Sequence, residues 1–287
     1  MLSMWRKTVL LARMVKIEHS IFALPFAYLG MTWAAGGWPG WEIFLALTVA
    51  MVAVRSFAMA VNRLADLPFD MKNPRTQTRP LVTGELNVFE TLVFIAVSAL
   101  VFVGACWQLN SLCLALSPLA LVWSAMYSYT KRFTSLCHFF LGTVLGLAPL
   151  AGWLAVSPEI ALAPVLLALG VTFWVGGFDI LYACQDAEFD QNEGLHSLPA
   201  GKGVPIALAL STFSHVVTAL FFLLAGWAAG AGIVYTGFCL AVAAILLFEH
   251  RLISADDLSR VNLAFFTLNG FIAVFLFAGA VIDTALR

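Results

Sequence analysis

Charged side chains are scarce in this chain. Asp, Glu, Lys and Arg make up 11% of its 287 residues, against 62% hydrophobic residues. With a mean hydropathy of +0.94, that shortage excludes a soluble globule and implies a polytopic protein in a lipid bilayer. The short alternating segments of a membrane β-barrel are missing as well. Cys106, Cys113, Cys137, Cys184 and Cys239 are odd in number and lack paired spacing. They are expected to be small apolar packing residues, not disulfides or metal ligands. No basic tract accompanies the net charge of −1, so nothing suggests nucleic acid. Arg13 and Lys16 interrupt the first apolar stretch, and the amino terminus is not expected to act as a cleavable signal.

What the chain does have is a series of apolar runs, each near the roughly 20 residues a helix needs to cross a bilayer. Nine are expected, over 20–37, 42–65, 88–108, 110–128, 135–155, 160–182, 205–229, 231–248 and 261–284. Ahead of them, within 1–19, residues 2–17 read as an interfacial amphipathic helix. Trp5, Val9, Leu10, Met14 and Ile17 alternate there with Arg6, Lys7, Arg13 and Lys16. Ser20 is expected to cap the first span and Pro25 to kink it, while Glu18 and His19 read as solvated interfacial residues. Thirteen of the 15 Lys and Arg residues fall on one side of a nine-span arrangement. The positive-inside rule makes that side the cytoplasm, so a multi-pass protein of the inner (cytoplasmic) membrane is expected.

The most informative stretch closes the second run: Arg55-Ser-Phe-Ala-Met-Ala-Val-Asn62-Arg63-Leu-Ala-Asp66-Leu-Pro-Phe-Asp70. On a helix Asn62, Asp66 and Asp70 share one face, each step rising about 6 Å. Ionisable groups at the end of a membrane-length helix mark function. Tyr182, Asp186 and Asp190 repeat the spacing 120 positions later, and Asp66-Leu-Pro-Phe-Asp70 reads against Asp186-Ala-Glu-Phe-Asp190. The repeat implies two related four-helix units, 20–128 and 135–248, with a ninth helix at 261–284. Pro68 removes a backbone donor and is expected to loosen the helix before Asp70.

Cations and hydrogen-bonding groups accompany these acids. Arg55 lies about two turns deeper than Asn62 and cannot shed its proton. Its partner is either a protein acid or a substrate carboxylate or phosphate. Lys72, Arg75 and Arg79 trail the first acids in a Pro- and Gly-containing loop that reads as a phosphate and metal lid. Tyr127 and Lys131, followed by Arg132, are spaced to reach one ligand. Asp179, Tyr182 and Asp186 share a face, with Gln185 nearby and Asp190 one turn on. Residues 194–203, with Lys202, read as a second flexible cationic lid. His196 and His250 read as solvated, and His215, Asn262 and Asn269 as helix–helix hydrogen bonds.

Paired carboxylates suit a hard divalent cation such as Mg2+, which takes one or two of them and completes its shell with water and phosphate oxygens. Two such clusters suit one diphosphate, with Arg, Lys, Asn and Tyr on its remaining oxygens. A diphosphate held this way leaves readily from an allylic carbon, and an isoprenoid tail suits a channel in a chain with 24 Phe. Intramembrane acids also mark the cation site of a secondary transporter. Here, however, they gather at one mouth and the opposite loops lack matching polar residues. A head-group phosphatidyltransferase would carry an Asp-Gly-x2-Ala-Arg pattern, which is missing.

Asn62-x3-Asp66-x3-Asp70, Tyr182-x3-Asp186-x3-Asp190 and Tyr127-x3-Lys131-Arg132 together resemble the UbiA superfamily of intramembrane prenyltransferases, over essentially the whole chain. The resemblance implies an all-α bundle of nine transmembrane helices around a central cavity, with cytoplasmic cap loops over Mg2+ and a prenyl diphosphate. Asp66, Asp70, Asp186 and Asp190 would be the catalytic metal ligands, with Asn62 a further candidate. Arg55, Asn62, Arg75, Arg79, Tyr127, Lys131, Arg132, Asp179, Tyr182, Gln185 and Lys202 would bind substrates, Arg55 approaching the aromatic one or its carboxylate. Family members more often carry an acid where this chain has Arg63, which leaves that residue without an assigned role. Ile17-Glu-His-Ser-Ile-Phe-Ala-Leu-Pro-Phe, Asp66-x2-Phe-Asp70, Tyr127-Ser-Tyr-Thr-Lys-Arg-Phe and Asp179-Ile-Leu-Tyr-Ala-Cys-Gln-Asp look like the 4-hydroxybenzoate polyprenyltransferase branch. That implies transfer from a polyprenyl diphosphate to a hydroxylated aromatic carboxylic acid in respiratory quinone biosynthesis. The branch includes relatives proposed to use 1,4-dihydroxy-6-naphthoate on a menaquinone route, and the sequence does not choose between the acceptors.

Overall fold

The structure is a computed structural model describing residues 4–261 and 264–287, without the side chains of Met4, Trp5, Ile17, Glu18, His19, Ala264 and Phe265. The expectations for Trp5, Ile17, Glu18, His19 and Asn262 therefore lie outside the described residues. In chain order the α-helices are α1 (Met4–Val15), α2 (Leu24–Ala35), α3 (Trp41–Ala65), α4 (Leu67–Asp70), α5 (Val88–Leu109), α6 (Ser111–Thr130) and α7 (Cys137–Val156). They continue with α8 (Leu162–Ala183), α9 (Ala187–Asn192), α10 (Leu198–Lys202), α11 (Val204–Ala228), α12 (Ile233–Arg251) and α13 (Asn269–Leu286). Among the described residues no β-strand occurs.

Eight helices among the described residues are long and apolar enough to cross a membrane. The first of the nine expected spans is instead a shorter apolar helix within Ser20–Ala35. Pro25 explains its late start: it occupies the first turn of α2, after a 3-10 segment over Ile17–Phe22, where its missing N–H costs nothing. It starts the helix and does not kink it. Ala23 holds the N-cap position, and the Ser20 hydroxyl has no hydrogen-bond partner among the described residues, so Ser20 is not the cap. Gly36, in the left-handed region at φ 61°, ends α2.

The chain divides into two compact units. One comprises Met1–Ser20 and Leu45–Tyr129, the other Ile21–Phe44 and Thr130–Arg287. The short helix α2 belongs with the second unit. In the first unit, Leu10, Met14 and Val15 of α1 pack on Ala60 and Leu86, so this amphipathic helix buries apolar residues against protein. Lys7 pairs with Glu90, which also closes a capping box with Asn87 at the start of α5.

In the second unit small residues bring backbones into contact. A Cβ on Gly30 would strike the Pro149 carbonyl, and one on Gly152 the Ala27 carbonyl, which is why α2 packs on α7. Gly142 and Gly146 do the same for α7 against Thr172 and Ala168 of α8. A buried polar network joins α8, α11, α12 and α13. Trp174 Nε1 donates to Asn269 Oδ1 at 2.8 Å, and Asn269 Nδ2 donates to Glu249 Oε1 at 3.0 Å. His215 Nε2 lies 3.3 Å from the Trp174 carbonyl, and its Nδ1 lies 2.9 Å from His250 Nε2. His215 and Asn269 thus make the expected interhelical bonds, whereas His250 is not a solvated residue. Four cysteines are buried and Cys113 is partly so, all with free thiols.

A Gly152→Leu variant should be less stable by about 1–3 kcal/mol or more, the cost of overpacking. Gly104 has nothing within 4 Å of the place a Cβ would take and should accept Ala without loss. Thermal unfolding in detergent measures both, and an unchanged Gly152→Leu midpoint would contradict the backbone contact.

Candidate functional site

In the first unit the polar residues sit where α3 gives way to α4. Despite Pro68, the helical path persists: Asp66 N–H donates to the Asn62 carbonyl at 2.9 Å and Asp70 N–H to the Asp66 carbonyl at 2.8 Å. The expected loosening does not occur, because Pro68 stands in the first turn of the new helix α4, where its donor is not needed. Asp66 and Asp70 are both buried. Asn62 Nδ2 donates to Asp66 Oδ2 at 3.0 Å. Arg63 Nη1 donates to Asn62 Oδ1 at 3.3 Å, while Arg63 Nε donates to the Met14 carbonyl at 3.2 Å. A relay therefore runs from the end of α1 through Arg63 and Asn62 to Asp66. It gives Arg63 a role, with Asn62 Oδ1 as one of its acceptors.

Arg79 Nη1 pairs with Asp70 Oδ2 at 2.5 Å, and the Thr76 hydroxyl donates to the Asp70 carbonyl at 2.9 Å. The loop after α4 is thereby drawn back onto the acids. Tyr127 lies within electrostatic reach of Arg63, Asp66 and Arg55, and its hydroxyl faces Met59 Sδ at 4.0 Å. Arg75 is exposed, and its backbone N–H donates to Asn73 Oδ1.

In the second unit α8 ends at Ala183, a 3-10 turn spans Cys184–Asp186, and α9 follows. Asp186 stands at the N-cap of α9 as Asp66 does at that of α4, with φ/ψ of −106°/8° and −87°/−3°. An N-cap Asp ordinarily turns its carboxylate onto the first helical amides. Neither does so here. Gln185 Nε2 donates to the Tyr182 carbonyl at 3.3 Å, and Tyr182 packs beside Leu181, Ile253 and Val261. Asp190 is buried, with Lys131, Asp186 and His138 in electrostatic reach. Arg132 and Lys202 are exposed.

The segment expected to be a second flexible lid is pinned. Leu195 N–H donates to the Asp190 carbonyl at 2.8 Å and His196 N–H to the Lys131 carbonyl at 2.7 Å. Leu198 N–H donates to His138 Nε2 at 3.2 Å, and His138 Nδ1 meets Asp179 Oδ2 at 2.7 Å. His138 escaped sequence reasoning, because one His at the start of an apolar helix has no spaced partner. Its only signal was polarity one residue inside a membrane-length run.

Among the described residues no three His, Cys, Asp or Glu side chains converge on a metal position. The donor set nevertheless fits Mg2+, which needs only one or two carboxylates when phosphate oxygens complete its shell. The carboxylates of Asp66 and Asp186 are not consumed by capping.

Comparison with known proteins adds to this geometry. The model of the UbiA prenyltransferase family matches residues 23–275. The apo structure of a UbiA homolog from Aeropyrum pernix K1 superposes with a TM-score of 0.84 at 33% identity, covering 93% of this chain and 98% of that one. A UbiA homolog from Archaeoglobus fulgidus bound to DMAPP and Mg2+ shares the fold, with a TM-score of 0.75 at 19% identity over 96% and 99% of the two chains. In sequence, the 4-hydroxybenzoate octaprenyltransferase of Shewanella pealeana is 28% identical over 283 residues, 96% of this chain and 93% of its relative.

Arg63→Met, which keeps length but removes every donor, should lower stability in detergent by about 2–4 kcal/mol, because it leaves buried acceptors unpaired. An unchanged unfolding midpoint would take Arg63 out of the relay.

Proposed function

The chain belongs to the UbiA prenyltransferase family, and from that premise we propose that it transfers a polyprenyl group from a polyprenyl diphosphate to a hydroxylated aromatic carboxylic acid of the 4-hydroxybenzoate type. The pathway served is respiratory quinone biosynthesis. The observation that carries the reading is the matched pair of N-cap aspartates, Asp66 and Asp186, each with a second buried acid one turn on. The names and ligands of the relatives support the substrate classes. The basic residues that flank one side of the spans support an active site facing the cytoplasm.

Asp66, Asp70, Asp186 and Asp190 would hold Mg2+, which when bound supplies positive charge to the diphosphate oxygens. Arg75, Arg79, Lys131, Arg132 and Lys202 supply fixed positive charge for the same group, and Tyr127, Tyr182 and Gln185 supply polar contacts. Arg79 reaches the diphosphate by exchanging its bond to Asp70. As the allylic C–O bond breaks, its electron pair leaves on an already compensated diphosphate, and the ring carbon ortho to the acceptor's hydroxyl bonds to the allylic carbon. Transfer of the ring proton to the released diphosphate restores aromaticity. Arg55, always charged, pairs with the acceptor's carboxylate and orients the ring.

Asp66→Ala and Asp186→Ala should each abolish turnover of labelled prenyl diphosphate while extraction and folding stay normal. Full activity in either would remove the metal assignment. Arg55→Ala should raise the KM of the acceptor about tenfold or more, the scale of a lost charged bond, and spare that of the prenyl diphosphate. An unshifted acceptor KM would reassign Arg55. Purified protein offered 4-hydroxybenzoate and 1,4-dihydroxy-6-naphthoate separately identifies the acceptor; inactivity with 4-hydroxybenzoate would overturn the first choice.

A further inference from the structure

From Trp174 to Leu181, every residue of α8 except Asp179 is buried. A carboxylate exposed to lipid would be costly, so the open side of Asp179 faces a polar or ligand-holding space. One of its oxygens, Oδ2, meets His138 Nδ1. Its other oxygen has no hydrogen-bond partner among the described residues, and the side chain is 25% exposed. His138 itself is almost fully buried.

Hydrogen-bond chemistry determines the state of that imidazole. The Leu198 amide can only donate, so His138 Nε2 must present a lone pair. Nδ1 then carries the proton and donates it to Asp179. A doubly protonated ring would leave the Leu198 N–H without its acceptor. The ring is thus a rigid donor–acceptor bridge between a carboxylate on α8 and the first residue of α10. The bonds from Leu195 to Asp190 and from His196 to Lys131 secure the same segment.

We propose that His138 is a positioning residue that latches the segment 193–203 to α8 and aims the remaining oxygen of Asp179 at the hydroxyl of the aromatic acceptor. This rests on the acceptor class proposed above. Asp179 accepts a hydrogen bond and takes no proton. As the ring attacks the allylic carbon, positive charge spreads onto the hydroxyl oxygen and its O–H becomes a stronger donor. The bond to Asp179 therefore tightens in the transition state, where it assists catalysis. With Oδ2 engaged by the imidazole, the carboxylate plane is fixed and Oδ1 is the acceptor atom turned to the acceptor's hydroxyl.

The role makes a chemical demand that a packing role does not. Gln carries one donor and one acceptor at its tip and can replace the neutral imidazole, whereas Leu fills space without either. Full-length protein in detergent, wild type beside His138→Gln, His138→Leu and Asp179→Asn, should be compared by amide hydrogen exchange over 193–203 and by steady-state kinetics. In His138→Leu, exchange at Leu198 should quicken and kcat/KM for the acceptor should fall, each by about tenfold or more, while the prenyl diphosphate KM stays within about threefold. His138→Gln should remain within about threefold of wild type in both measurements. Asp179→Asn should keep the exchange protection yet lose turnover, which separates the latch from the contact with the hydroxyl. Wild-type exchange in His138→Leu, or a His138→Gln as impaired as His138→Leu, overturns the proposal. If wild type prenylates neither acceptor, the substrate reading falls while the exchange measurement still decides the latch.

Discussion

Polar groups set among membrane-length apolar helices cannot rely on water, so a partner inside the protein stabilises them strongly. In the first unit that constraint produces the line from the Met14 carbonyl through Arg63 and Asn62 to Asp66. In the second it produces His138 between Asp179 and the Leu198 amide. It also produces the buried set in which Trp174, Asn269 and Glu249 tie α8 to α12 and α13. Acids of the candidate site, Asp66 and Asp179, are therefore hydrogen-bonded by neighbours that do not themselves resemble functional residues.

The two units reach one local geometry by different means. After α3, a proline starts a new four-residue helix; after α8, a 3-10 turn does so. Either way the middle acid of the motif lands at an N-cap without its carboxylate making a cap hydrogen bond. A carboxylate spent on capping would be a weaker donor for a cation. The repeated spacing of Asp66 with Asp70 and Asp186 with Asp190 thus preserves a backbone break and two oxygen donors together.

Much of this was legible beforehand. Apolar runs announced the spans because a bilayer demands length and hydrophobicity, both visible residue by residue. The doubled acid motif singled out the candidate site because charge at such depth is rarely accidental. Other features were not legible. Pro25 and Pro68 read as disturbances, yet both stand in first turns, and only the surrounding backbone shows which carbonyls still have donors. His250 read as solvated until the fold set it against His215, ring centroids 4.9 Å apart. Nothing in the spacing of Arg63 and Asn62 announced that the guanidinium donates to the Asn62 carbonyl oxygen.

The order of residues alone determined that this chain is a helical, lipid-embedded member of the UbiA family with two acidic clusters, since hydropathy, periodicity and motif spacing are local properties. Tertiary structure decided which side chains hold those acids, because partners such as Met14 and Arg63, or His138 and Asp179, are separated by 49 and 41 positions. Hydrogen bonds act over about 3 Å of space and are indifferent to distance along the chain. No spacing rule connects such pairs until helix packing brings them together.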